Sequence, residues 1–431
     1  MKVLQINSFF SVGGPPHIMN GIYDTLVANG HECMIASARE KMYAPENSIR
    51  IGTKTSVKVN ALKARLLDNE GFNAKKATLK LIQWIKEYNP DVIHLHNLHG
   101  YYINIELLFD YLKEANIPVV WTLHDCWAFT GHSAYCDAIH CKRWKRECFD
   151  CPQKREYPKS ILNDNSSSNW KKKRKAFLGV KNLTIVTPSQ WLADLVKESF
   201  LNKYPIKVIH NGIDLTEFHP CSNNFRERYN LRNRFIILGV ASVWNKFKGL
   251  EDYKQLSNIL DKRFKIVLVG LNDRQIREMP DKILCLPRTK SVKELTYIYS
   301  SADVFLNLTY CDTFPTVNIE ALSCGIPIIT YETGGSTEVI NSNNGMIVKQ
   351  GDLKGILTAL EYFRNTKWDK VAIEESALLY DRRTMLDNYL KIYNSRELNV
   401  DLVAQSVRGC GRLDCSSIIN SCRFGSRGGN I

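Results

Sequence analysis

Short runs rich in Val and Ile alternate with helix-compatible stretches along almost the whole chain. That alternation restricts the fold to parallel sheets with helices on both faces. The first series of runs is Val3 to Ile6, Cys33 to Ala36, Asp91 to His94, Val119 to Thr122, Leu183 to Val186 and Lys207 to Ile209. A second series occupies Phe235 to Val240, 264 to 268, 303 to 306 and 326 to 330. Helices are expected from Pro15-Pro16 to Asn29-Gly30, at 75 to 88 (ended by Pro90), at 105 to 115, from Ser189, and at 370 to 394. The stretch before residue 74 carries no readable period. A chain of 431 residues should divide into about two domains. His210-Asn211-Gly212-Ile213-Asp214 lies between the two series and reads as the hinge.

The richest segment runs from Asp312 to Pro327. Asp312 sits in a loop after an apolar strand. Glu320, eight residues later, lies in a short helix that stops at Cys324-Gly325, and the pair Gly334-Gly335 follows the next strand. Helix N-termini and glycine-rich turns present unpaired N–H groups to anions. A carboxylate one or two turns further in can meet ribose hydroxyls, so the segment suits a nucleoside diphosphate attached to a sugar. Gly13-Gly14 follows the first strand, where a doubly wound sheet places its ligand crevice. It lacks the G-x-G-x-x-G spacing of a dinucleotide site. His124 stands at a strand's C-terminal end, and Asp125 can fix its tautomer or cap the next turn. Lys248-Gly249 opens a helix after the first strand of the second series, where an ammonium can neutralise a phosphate leaving group. His94, His96 and His99 form a metal-like trio, but no carboxylate partner stands out beside them.

The order acid-x7-acid, Ala-Leu-x-x-Gly-x-Pro and Gly-Gly-x-x-Glu (Gly334 to Glu338) resembles the donor site of retaining glycosyltransferase family 4. Within that family the likeness is greatest to enzymes of exopolysaccharide and colanic acid biosynthesis. The resemblance implies the α/β GT-B fold: two Rossmann-like doubly wound domains with an interdomain cleft. Its domains would be 1–212 on the acceptor side, carrying a cysteine-rich insert at 126–170, and 213–375 for the donor. A helix at 376–396 would pack back on the first domain, and 397–431 would be a disordered tail. The resemblance also implies roles. His124 and Asp312 would orient the donor sugar, and Lys248 would offset the leaving diphosphate. Gly13 and Gly14 would face that diphosphate from the opposite domain. Thr316, Val317 and Asn318 would offer backbone N–H groups, and Glu320 would hold the ribose. Two departures are visible. The first acid is usually Glu and here is Asp312. An Arg usually precedes the lysine, whereas Ser242-Val243-Trp244 supplies none and leaves Lys246 to share that work. The implied reaction moves a sugar from a UDP- or GDP-sugar to a hydroxyl of a growing lipid-linked glycan, with retention and without a catalytic metal. A sugar-nucleotide epimerase or a glycan phosphorylase on the same architecture is the enzymatic alternative.

Net charge is +14, which attracts phosphorylated substrates, anionic membranes or nucleic acid. The densest run, Lys171-Lys172-Lys173-Arg174-Lys175, reads either as a solvated helix face or as a contact for the inner face of the cell membrane. No apolar run approaches the ~20 residues that span a bilayer, and a cytoplasmic protein is expected. The 13 cysteines are odd in number. Cys136, Cys141, Cys148 and Cys151 are grouped as C-x4-C-x6-C-x2-C, open to a structural zinc or to free thiols. With the basic run, that group also motivates a zinc-stabilised nucleic-acid-binding protein, a reading that leaves residues 312 to 338 unexplained.

Overall fold

The computed structural model describes residues 1–10, 14–39 and 47–394. Gly13 and the 397–431 tail lie outside the described residues.

Two all-parallel sheets carry the chain. The first contains β1 (Lys2–Phe9), β2 (Glu32–Arg39), β3 (Ser48–Arg50), β4 (Val92–Leu95), β5 (Val119–Thr122), β6 (Leu183–Thr187) and β7 (Ile206–Val208), in the order β3-β2-β1-β4-β5-β6-β7. The second contains β8 (Phe235–Val240), β9 (Phe264–Val269), β10 (Ile283–Leu286), β11 (Val304–Asn307), β12 (Ile328–Tyr331) and β13 (Gly345–Val348), in the order β10-β9-β8-β11-β12-β13. β4, β5, β11 and β12 are buried at every residue. That explains their continuous apolar character, since helices cover both faces of a parallel sheet. Each sheet reverses its winding once, at β1/β4 and at β8/β11, and ligands bind beyond the strand ends at such points. The loops carrying Gly14, His124, Lys248 and Asp312 all leave C-terminal strand ends near these reversals.

Three short edge strands (β3, β10, β13) have no counterpart among the runs read from the sequence. The stretch with no readable period contains the helix Lys54–Leu67, started by a capping box between Thr53 and Ser56. The expected helix at 370 to 394 is two helices, Lys370–Ser376 and Arg382–Asn394. It breaks where the chain runs beside the hinge. Ile213 N–H donates to Tyr380 O at 3.1 Å, and Arg382 N–H donates to Ile213 O at 2.8 Å. Met385, Leu386, Tyr389 and Tyr393 of the last helix then pack among Val3, Ile22, Val92 and Val120 of the first sheet's layer. Tyr393 Oη lies 2.6 Å from His94 Nδ1, and His94 Nε2 lies 2.8 Å from Thr122 Oγ1.

Candidate active site

Between the C-terminal edges of the two sheets lies a cavity of about 360 Å3. Gly14, His124 and Asp125 line it from the first domain. Lys248, Asp312, Thr316 and Val317 line it from the second. A wider, open hollow of about 780 Å3 among Arg232, Arg234, Lys262 and Arg263 lies away from these strand ends.

Lys248 Nζ lies 2.5 Å from Asp312 Oδ2, with the side chains 28% and 18% exposed. Gly249 makes the tight exit after Lys248. Its φ is +69°, and an added Cβ would lie 2.2 Å from Leu308 O. Only glycine fits that turn, which sets the lysine beside the loop after β11. The Asp312 loop is held by Gly334 and Gly335, whose Cβ positions would lie 1.9 Å from Asp312 O and 2.0 Å from Thr313 O. Gly335 N–H donates to Asp312 O at 3.2 Å, so this turn is a close-packed support and its N–H is not open to an anion. The N–H groups of Thr316 and Val317 have no acceptor among the described residues and end a helix at the cavity wall.

Two sequence expectations in this half, Asn318 and Lys246, need correction. Asn318 is fully buried; its N–H donates to Pro315 O, and its side chain joins Asn307 to Ser336 O. It braces the loops and does not reach the cavity. Lys246 is absent from the cavity wall and forms an ion pair with Glu156 of the first domain. Its charge closes the rim between domains. Glu320 lies behind Thr316, accepting Thr316 Oγ1–H at 3.3 Å and Tyr299 Oη–H at 2.9 Å. Burial pushes its carboxyl above the usual range, against those two bonds.

His124 belongs to a relay that the sequence does not announce. Gln5 Nε2–H donates to Met19 O at 3.0 Å, which aims Gln5 Oε1 at His96 Nε2, 3.1 Å away. An amide oxygen only accepts, so His96 carries its proton on Nε2 and leaves Nδ1 bare. His96 Nδ1 lies 3.1 Å from His124 Nε2, which must then be the donor. His124 therefore leaves Nδ1 as an acceptor. Burial pulls the His124 pKa to about 4 despite the Asp125 carboxylate, and that of His96 well below its ordinary value. Both rings are neutral at pH 7. Asp125 does not fix the His124 tautomer. Its Oδ2 accepts from His99 Nε2 at 2.7 Å and its Oδ1 accepts Trp127 N–H at 2.8 Å. Burial pushes the Asp125 carboxyl up, but the His99 charge and these bonds outweigh it and leave the group below the usual range. Of the histidine trio, His94 and His96 serve buried polar chains, and His99 finds its acid in Asp125.

The domains are also tied at the cavity's edges. Thr313 Oγ1–H donates to His124 O at 3.1 Å. Glu338 accepts the N–H groups of Gln190 at 2.9 Å and Trp191 at 2.7 Å, at the start of the helix Gln190–Lys197. Phe314 stacks on His210 with centroids 4.7 Å apart.

The cysteine insert and the basic run each had two readings in the sequence. Among the described residues, no three His, Cys, Asp or Glu side chains are placed to hold a metal ion. Cys136 turns to Cys126 in the core, and Cys148 Sγ accepts Gly131 N–H at 3.2 Å. Cys141 and Cys151 are half-buried free thiols. In the run, Lys173 is 1% exposed and its Nζ donates to Trp127 O at 2.7 Å and Thr130 O at 3.1 Å, over the Trp127 ring. Burial lowers its pKa to about 7. Lys171 pairs with Glu147, Lys172 lies over Phe72, and Arg174 lies over Trp170. Lys175 is exposed and its carbonyl accepts from Lys113. The run is a helix with one inward lysine, not a continuous cationic patch.

Known proteins share both halves. Residues 12–217 match the family described as Glycosyltransferase Family 4, and residues 222–376 match Glycosyl transferases group 1. A protein of Escherichia coli strain K12 named as a colanic acid biosynthesis glycosyl transferase, WcaC, is 23% identical over 71% of this chain and 76% of its own length. A GDP-mannose-dependent alpha-mannosyltransferase of Corynebacterium glutamicum is 22% identical over 83% of this chain and 79% of its own. Among solved structures, Anabaena HepE in complex with UDP and glucose superposes with a TM-score of 0.65 at 14% identity, covering 92% of this chain and all of that one. WaaG, a glycosyltransferase involved in lipopolysaccharide biosynthesis, superposes at 0.62 and 14% identity over 91% of this chain. Two matched halves, a cavity at both winding reversals and these superpositions make the chain a family 4 glycosyltransferase of the GT-B fold.

Proposed function

We propose that the protein transfers a sugar, with retention, from a UDP- or GDP-sugar to a hydroxyl of a growing lipid-linked glycan in cell-surface polysaccharide assembly. The observation that carries this reading is the facing of two kinds of group across one cavity. Lys248 and the free N–H groups of Thr316 and Val317 suit a diphosphate, while His124 Nδ1 opposite them suits a sugar hydroxyl. Gly14 has open space beside it and leaves room for the diphosphate at the first domain's edge. Glu320 would accept ribose hydroxyls in place of the Thr316 hydroxyl. The relatives' names support the acceptor class: one from Campylobacter jejuni acts on a diphospho-undecaprenol saccharide.

In the proposed step the acceptor oxygen bonds to the anomeric carbon as the bond to the diphosphate breaks, both on one face of the sugar. A diphosphate oxygen takes the acceptor's proton. Lys248 and the helix N-terminus offset the charge that develops on the leaving group, so the reading asks no bound metal to do so. Both cavity carboxylates are already engaged, Asp125 by His99 and Asp312 by Lys248, which disfavours either as a covalent nucleophile.

A thermal-shift screen against UDP- and GDP-sugars tests the donor, because a ligand that binds only the folded state raises its melting temperature. One of the two nucleotide classes should stabilise the protein, and NMR of the product should show an unchanged anomeric configuration. Absence of a shift with every donor, or an inverted product, would end the reading.

A further inference from the structure

Next to His124 the cavity wall continues as Asp125, Cys126, Ala134 and Tyr135. A carboxylate repels a diphosphate, so this stretch of the first domain suits another part of the reaction. Backbone bonds zip it to the insert. Cys126 N–H donates to Ala134 O at 3.2 Å, and Ala134 N–H donates to Tyr157 O at 3.3 Å. Tyr157 Oη then lies 2.8 Å from His99 Nδ1, and His99 Nε2 lies 2.7 Å from Asp125 Oδ2. A carboxylate only accepts, so His99 carries a proton on Nε2. Held at both nitrogens, the ring cannot swing. Its loop is fixed as well, because Glu70 accepts the N–H groups of Gly100 and Tyr101 at 2.7 and 2.8 Å.

Asp125 and Asp312 are both 18% exposed, but they differ in what they have to spare. The Asp312 carboxylate is neutralised by the Lys248 ammonium. Asp125 takes one N–H on each oxygen, from His99 and from Trp127, and no Lys or Arg among the described residues forms an ion pair with it. A carboxylate has about four acceptor positions, so one remains on each oxygen. We infer that Asp125 holds hydroxyls of the acceptor sugar, that His99 and Tyr157 position it, and that the sugar is uncharged where it meets this carboxylate. Two hydroxyls of one sugar ring suit two spare lone pairs, whereas a second anion beside a half-buried carboxylate is rejected. Glu156, the neighbour of Tyr157, pairs with Lys246 of the second domain, so the brace on Asp125 is anchored at the contact between domains. The inference rests on the transfer reading above and adds the acceptor's class: a neutral hexose, with any phosphate or carboxylate of the glycan kept clear of this wall.

Acceptor kinetics test it, with the nucleotide sugar that stabilises the protein as donor and octyl glucoside, galactoside, mannoside and glucuronide as probes. The wild type should use a neutral hexoside with kcat/KM at least about tenfold above that for the glucuronide. Asp125→Asn should lower kcat/KM for the hexoside at least about tenfold and bring that ratio toward one. Tyr157→Phe keeps the ring and removes one oxygen. It should raise the hexoside KM about threefold to tenfold and shrink the ratio, while the donor still raises the melting temperature as in the wild type. A merely structural Tyr157 would instead weaken donor stabilisation and leave the ratio alone. Equal use of hexosides and glucuronide by the wild type, or a ratio that survives Asp125→Asn, overturns the inference. So does a donor-stabilised protein that uses no hexoside. If Asp125→Asn does not fold, an unchanged ratio in Tyr157→Phe overturns it in the same way. A protein that no nucleotide sugar stabilises overturns the transfer reading and this inference together.

Discussion

Lys248 and Asp312 form one ion pair, 2.5 Å long, between the loops that follow β8 and β11. The sequence offers them as separate groups, a cation for the diphosphate and an acid for the sugar. Paired, each sets the other's position before the donor arrives, so removing either should also misplace its partner. Lys248→Met and Asp312→Asn should each lower kcat/KM by at least about tenfold, or ~1.4 kcal/mol. The double variant should lose less than the product of the two, because residues in contact are coupled. Steady-state kinetics of the four proteins checks this. Strictly multiplicative losses would mean that the pair has no role as a unit.

The relay from Gln5 through His96 makes a prediction that packing alone does not. At pH 7, 15N shifts of His124 should show a proton on Nε2 and a bare Nδ1. Gln5→Met removes the acceptor that orients His96, so both rings should then sample both tautomers. Turnover should fall about tenfold with little change in KM if Nδ1 accepts a bond that matters only in the transition state. Finding His124 protonated on Nδ1 in the wild type would refute the relay.

What could be read from the sequence follows the range of the interactions. Strands such as β5, and the placement of His124, Lys248 and Asp312 after strand ends, are local patterns and were visible. Gln5, His96 and His124 meet only because β1, β4 and β5 lie side by side in register, with Gln5 opposite His94 and His94 opposite Val120. No local window contains that fact. The placement of Lys246 is hidden for the same reason, since its partner Glu156 is 90 residues away. The used N–H of Asn318 is equally hidden, because in sequence a helix's first turn looks the same whether its N–H groups are open or used. The helix Lys54–Leu67 hid its period because it is apolar on two sides, one for the core and one outside.

Acid should destabilise the protein through its buried histidines. Burial sets His94 at about 3 and His124 at about 4, and lowers His96 well below its ordinary value, whereas all three return to about 6.5 on unfolding. Unfolded chains then bind more protons below pH 6.5, so stability is full above that pH and falls as pH drops toward the folded values. The slope is about 1.4 kcal/mol per pH unit for each histidine that must stay neutral. Urea unfolding at pH 7, 6 and 5 should show a falling midpoint. A midpoint that does not move would show that these rings charge without cost.

Glu338 gives the final prediction, because it belongs to one domain and caps a helix of the other. The helix Gln190–Lys197 has its own N-cap in Ser189, whose Oγ accepts Leu192 N–H at 3.2 Å. The Glu338 carboxylate takes the two N–H groups that Ser189 leaves, Gln190 and Trp191. An acid at a helix N-terminus is favoured by both the hydrogen bonds and the helix dipole, together about 1 kcal/mol. That energy exists only while the domains are together, so it biases the cleft toward closure rather than stabilising either domain. Glu338→Ala should leave the thermal midpoint nearly unchanged yet speed amide exchange at Gln190 and Trp191. It should also raise donor KM, since closure brings Thr313 and His124 into contact over the cavity. Unchanged exchange at those two amides would show that the carboxylate does no latching, whatever happens to KM.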